Sequence, residues 1–200
     1  MHNQRYGGRA RTGQLARAVV IVGTLAVAVS GAGVSAAGAS TQAARHPARS
    51  AAACPAGRFH RPPITVTRNL HVPPTPVIRA VRTAKHPSCH FDRLVFDISG
   101  KHPGYHIQFV RQVIADPSGK VINLPGKRFL LITLRPAQAH KKSGASTLPT
   151  TVQRIGDPML KSWVLAGDFE GVVSIGVGLR AKTSVRVGEL RGRLFIDFRY

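Results

Sequence analysis

The chain has 200 residues, with 29 Lys/Arg against 8 Asp/Glu and a formal charge of +21. That length suits one domain with extensions. So large a positive charge turns away cationic partners and favours anionic ones, whether nucleic acid, phosphate-bearing wall polymers or an acidic membrane surface, without choosing among them.

The charge is unevenly spread. All eight acids lie between Asp92 and Asp197, so the first 91 residues carry none, and residues 77–200 hold 20 Lys/Arg against those 8 acids. Residues 1–39 read as a secretory signal peptide. Arg5, Arg9, Arg11 and Arg17 precede an apolar run from Ala18 to Val29, and small residues follow through Ala39. A positive start, a short apolar middle and a small-residue exit are the parts of an export signal. Cleavage is expected after Ala39, with Val34-Ser35-Ala36 as a second site. The run is shorter than the roughly 20 residues of a membrane span, so an uncleaved anchor is the alternative. The expected location is therefore secreted, in the cell envelope or outside the cell.

Residues 40–76 are rich in Ala, Pro, Arg and His, and prolines at 62, 63, 73, 74 and 76 block helix and central strand alike. The expectation is a disordered, stiff and solvated linker. Cys54 and Cys89 are the two cysteines. In an exported chain an even count allows one disulfide, which would staple the start of the chain to the domain. The alternative is lipid attachment at Cys54, although a lipidated cysteine normally abuts the apolar run.

Residues 77–200 alternate as β-strands do, with side chains changing face at every residue. Strands are expected at Val77–Arg82, at Phe91–Ile98 with Leu94, Phe96 and Ile98 on one face, and at Tyr105–Val110 with Tyr105, Ile107 and Phe109 together. Asp116–Gly119 has turn residues, and Arg128–Leu134 is a nearly continuous apolar strand suited to the middle of a sheet. Pro136–Thr151 turns polar and reads as a mobile loop, while Val152–Lys161 is ambiguous. A hairpin follows over Trp163–Leu179, turning at Asp168–Gly171. Its second arm carries Val173, Ile175, Val177 and Leu179 on one face and Ser174, Gly176 and Gly178 on the other. Strand glycines mark a bulge, a bend, or a close approach by another backbone or a ligand. Here they either let the sheet curl or leave a groove. Strands at Ser184–Glu189 and Arg193–Phe198 close the chain. About eight short strands and no amphipathic helix predict an all-β sandwich or barrel. Arg93-Leu94-Val95-Phe96-Asp97-Ile98 echoes Arg193-Leu194-Phe195-Ile196-Asp197-Phe198, which strand periodicity alone or two related halves packed face to face would both produce.

Several stretches together resemble a known family. HPSCHFDRLVFDI at 86–98, Pro103-Gly104-Tyr105, LPGKRFLLITLRPAQAH at 124–140, AGDFEGVVSIGVGL at 166–179 and the closing RLFIDF are similar to the AMIN-like domain of exported proteins in high-GC Gram-positive bacteria. That domain is distantly similar to the AMIN domains of cell-wall amidases and outer-membrane secretins. One departure is Cys89-His90, where the pattern would carry a glycine or another small residue before the aromatic. The resemblance implies a β-sandwich over 77–200 and a binding or localising role in the envelope, by analogy with AMIN domains that target amidases to peptidoglycan.

The chemistry-bearing residues point the same way. There is no P-loop, GxSxG or HExxH, and no enzyme activity or cofactor is expected. Asp168 and Glu170, two apart at a hairpin tip, would support hydrolysis only if burial raised one pKa; turn geometry or surface recognition is the expected use. His86, Cys89 and His90 crowd into five residues, without the two spaced ligand pairs of a zinc site, so no metal is expected. The aromatics fit core positions better than stacking platforms for nucleic acid. The expected function is a non-catalytic envelope-binding module for peptidoglycan or an anionic wall polymer. A basic surface (Arg79, Arg82, Lys101, Arg111, Lys127, Arg180, Lys182, Arg186) would attract the polymer, and either the Gly176/Gly178 face or the Asp168–Gly171 turn would shape a groove. The expected ligand-binding residues are therefore Asp168, Phe169, Glu170, Gly176, Gly178, Arg180 and Arg186. The alternatives are a protein-interaction module or a hydrolase using Asp168/Glu170. Membrane contact would follow only from an uncleaved leader or a lipidated Cys54.

Overall fold

A computed structural model of the chain describes residues 53–68 and 74–200. The leader read at 1–39, with its cleavage site, and residues 40–52 and 69–73 of the expected linker lie outside the described residues. The fold is all-β. Its strands are β1 (Ile64–Val66), β2 (Val77–His86), β3 (Phe91–Ser99), β4 (Gly104–Val110), β5 (Val113–Ile114), β6 (Val121–Ile122), β7 (Arg128–Arg135), β8 (Gln153–Arg154), β9 (Leu160–Phe169), β10 (Val172–Leu179), β11 (Val185–Leu190) and β12 (Arg193–Arg199). The eight strands expected from periodicity are all present. The other four, β1, β5, β6 and β8, span two or three residues each, too short to display a two-residue period.

Two antiparallel sheets form the sandwich, one ordered β1-β4-β7-β10-β9-β8 and the other β11-β12-β3-β2, with β5-β6 as a separate ribbon. The core between the sheets is built from the faces the alternation marks. Leu94, Phe96 and Ile98 of β3 meet Ile107 of β4, Ile132 of β7, and Val173, Ile175 and Val177 of β10 in one buried cluster. Burying such side chains stabilises by about 1.5–3 kcal/mol each before chain entropy is subtracted.

The outer face of the six-stranded sheet is covered as well. Val113, Leu124, Val164 and Ala166 form a second buried cluster there. Gly176 and Gly178 lie directly beneath it. A Cβ on Gly176 would sit 2.5 Å from Val113 Cγ1, and one on Gly178 would sit 2.0 Å from the Pro125 carbonyl oxygen. The glycines therefore admit another stretch of the same chain, and the ligand groove expected over them is filled by the β5–β6 ribbon and the 124–126 turn. Gly178→Ala should destabilise the fold by about 1–3 kcal/mol through overpacking. An unchanged urea midpoint for that variant would contradict this close contact.

Residues 53–68, expected to be solvated linker, are docked instead. β1 pairs with β4 in the register Ile64↔Ile107 to Val66↔Tyr105, and His60 exchanges two backbone hydrogen bonds with Val185, at 2.7 and 2.8 Å. Ile64 and Val66 pack against the main core. The Cys54–Cys89 disulfide is formed, so the Cys54 sulfur is not open to a lipid. Cys89 ends a 3₁₀ turn, Pro87–Cys89, and the next residue, His90, has φ 56°. Left-handed backbone favours glycine, which accounts for the small residue that the family pattern places before Phe91.

The stretch 136–151, expected to be a mobile loop, is also anchored. Ala137, Ala139 and Leu148 are buried in the core, and Gln138 exchanges backbone hydrogen bonds with Pro76 and Ile78 at the start of β2. Thr147 N donates to Ala139 O and Lys141 N to Ala145 O, making a small hairpin with Lys141–Gly144 at its tip. Both edges of the large sheet are very short, β1 with three residues and β8 with two. The long edge strand β2 carries Arg79 at a bulge, then Arg82 and Lys85.

Candidate functional site

The expected contact residues lie in separate places: the glycines under the β5–β6 ribbon, Asp168 and Glu170 at the β9–β10 turn. Phe169 and Val172 flank a two-residue turn in which Glu170 (φ 47°) and Gly171 (φ 74°) both take left-handed backbone, the conformation that matches the twist of a tight hairpin. Glu170 is exposed at the tip. Asp168 lies within β9, largely covered, and its Oδ2 is 2.7 Å from His140 Nδ1. The two carboxylates therefore have separate tasks, one holding a histidine and the other shaping a turn, and no acid–base pair results.

Arg186 is a further correction. It was expected on a basic surface and instead is 6% exposed. Its guanidinium lies over Phe59 and Phe91, 5.0 and 5.1 Å from the ring centroids. It donates to Asp197 Oδ2 and to the Pro55 carbonyl. Arg180 is exposed at the end of β10. The His86/Cys89/His90 cluster is likewise structural: His86 stacks on Phe91 at 4.5 Å, Cys89 is disulfide-bonded and His90 meets the edge of Tyr200. Burial holds His86 below its ordinary pKa. Among the described residues no cluster of three metal-ligating side chains occurs.

The anchored 139–147 hairpin and the start of β2 line an open cavity of about 760 Å³. Arg79, Lys141 and Lys142 supply its charge, and His140, Ser99 and Thr147 are among its hydrogen-bonding groups. No carboxylate lines it. Asp168 stands behind His140 and fixes that ring's placement by the 2.7 Å contact. The sequence offered one signal for this site, the His140-Lys141-Lys142-Ser143 run inside a stretch that otherwise looked featureless.

A family model for the AMIN-like domain matches residues 76–200. The chain belongs to the AMIN-like domain family. No curated protein and no solved structure matches.

The AMIN-like domain distributes its charge in a way that leaves cations free. Asp97 is engaged by Arg82 at 2.7 Å and approached by Arg193 at 3.5 Å, Asp197 by Arg93 and Arg186, and Glu189 by Arg68 and His102. Hydrogen bonding from Arg82 holds the Asp97 carboxyl below its ordinary pKa. Asp92 Oδ2 accepts from the backbone N–H groups of Met159 and Leu160. These four acids, with Asp168 beside His140, are thus engaged by the fold, while Asp116 and Glu170 are exposed. Among the described residues no carboxylate comes within ion-pair distance of Arg79, Lys141 or Lys142, nor of Lys101, Arg111, Lys127 or Lys182.

The Arg/Asp echo between β3 and β12 also finds its cause here. The strands are antiparallel neighbours with Arg93 opposite Asp197 and Arg193 opposite Asp97. Each arginine faces the other strand's aspartate, so the repeat is a cross-strand ladder within one sheet, not a pair of halves packed face to face.

Proposed function

We propose that the chain is an exported, non-catalytic envelope-binding module whose AMIN-like domain holds peptidoglycan in the cavity beside the 139–147 hairpin. The observation that carries this reading is the lining: three cations and a set of hydroxyl, amide and imidazole groups, without one carboxylate. Sugar hydroxyls and amides need neutral hydrogen-bonding partners, and the carboxylates of wall peptides need cations. Family membership supports a cell-wall association of this kind. A protein-interaction module would need an apolar face of several hundred Å²; Ile114 and Val121, paired across β5–β6 and 48% and 58% exposed, make only a small apolar spot.

The full chain should co-sediment with purified peptidoglycan. Arg79→Ala/Lys141→Ala/Lys142→Ala should weaken retention about tenfold, on the order of 1.4 kcal/mol spread over three contacts. Retention of the triple variant at the unaltered level, with its circular-dichroism spectrum unchanged, would remove the cavity from the reading.

A further inference from the structure

The other exposed cations gather at the opposite end of the sandwich. β4 and β7 run antiparallel, with Gly104 paired to Arg135 at the cavity end and Val110 paired to Phe129 at the other. At that far end two adjoining hollows of about 520 and 500 Å³ share Phe109 and Lys182. Together they are lined by Arg61, Arg111, Lys127, Arg128, Lys182 and Arg199, with no Asp or Glu. All six cations are exposed. Arg61 comes from the docked N-terminal segment and Arg199 from the last strand, and with the stretches at 109–111, 127–129 and 182–184 five separated parts of the chain converge on one trough.

Six cations brought together without a counter-charge repel one another, and such a cluster raises the local concentration of anions. We infer that this trough is a second binding site, for a linear phosphodiester polymer with an aliphatic backbone. Several guanidinium and ammonium groups around two adjoining hollows suit repeated phosphates, the arginines as bidentate donors and the lysines as point charges. Phe129 is half-buried in the lining of the first hollow, where it offers apolar contact to the carbon spacers between phosphates; Phe109, on the opposite face of the sheet, packs on the main core. Base-stacking recognition of single-stranded nucleic acid would need open aromatic faces, and Lys182 Nζ already stands 5.7 Å from the Phe109 ring centre. The inference shares with the proposed function only its envelope setting, since the cavity and the trough have no residue in common.

The test is fluorescence anisotropy of the full chain with labelled poly(glycerol phosphate), with poly(dT) carrying the same number of phosphates as competitor. Binding should weaken with salt, and Lys127→Glu/Arg128→Glu/Lys182→Glu should lower affinity at least about tenfold while flattening the salt dependence by roughly two in log–log slope. Lys127→Gln/Arg128→Gln/Lys182→Gln stands in if the reversal variant fails to fold. The cavity variant at Arg79, Lys141 and Lys142 should bind as the parent does. Trough variants that bind within twofold of the parent, or a cavity variant that loses the polymer equally, would overturn the inference. Poly(dT) binding more than tenfold tighter would overturn it in favour of nucleic acid. A parent chain that binds the polymer but is not retained by peptidoglycan would overturn the cavity and leave the trough standing.

Discussion

Asp197→Ala is expected to destabilise the domain by about 3–5 kcal/mol, the range for removing one partner of a buried ion pair. The Asp197 carboxylate is fully buried and bonded to two guanidiniums, Arg93 at 2.6 Å through Oδ1 and Arg186 through Oδ2. Arg186 is itself 6% exposed and Arg93 is sandwiched over Phe195 at 4.1 Å. Removing the carboxylate leaves positive charge in a site with little water to solvate it, next to aromatic faces whose cation–π attraction offsets only part of that loss. Asp97 is the internal control, since it occupies the equivalent position in the echoing strand yet pairs at the surface with Arg82. Exposed ion pairs contribute little, so Asp97→Ala should move the urea midpoint far less. Equal shifts for the two variants would show that burial is not what makes the Asp197 cluster matter.

The second large effect is the disulfide. Cys54→Ser/Cys89→Ser should cost about 3–4 kcal/mol, from the unfolded-state freedom restored when a loop of 35 residues is opened. The bond also holds Pro55 and Ala56, whose carbonyls accept hydrogen bonds from Arg186, and lies close to Phe59, which covers the same guanidinium. Opening it therefore loosens the cover of the Asp197 cluster, so combining the double cysteine variant with Asp197→Ala should cost less than the sum of the two. A reductant should lower the unfolding midpoint of the parent chain and leave that of the double variant in place. A parent midpoint insensitive to reduction would contradict this account.

Long strands with one buried face were legible because Leu94/Phe96/Ile98 and Val173/Ile175/Val177 repeat often enough to reveal a period of two. The cysteine pairing followed from the export reasoning and an even count. What escaped was short or indirect. The Ile64-Thr65-Val66 strand has one alternation and sits among prolines, so its context read as linker. Ala137, Ala139 and Leu148 are too small or too widely spaced to announce burial, which made the hairpin bearing Lys141 and Lys142 look unanchored. Gly176 and Gly178 did signal close approach, but the neighbours that fill the space, Val113 and Pro125, lie 63 and 53 residues earlier, and distance in sequence hides such partners. Arg186 was indistinguishable from a surface arginine because its burial depends on Phe59, Phe91 and Asp197, each from a different part of the fold.

The shape of the sheet margins has a consequence for how this protein meets others. A margin three residues long at β1, or two at β8, presents too few free amide and carbonyl groups to recruit an extra strand. Along β2, the bulge at Arg79 and the positive side chains that follow discourage backbone zippering. At these margins the addition of a strand from another copy is therefore disfavoured, which counters stacking into fibres; at the remaining margin, β11, His60 already pairs with Val185.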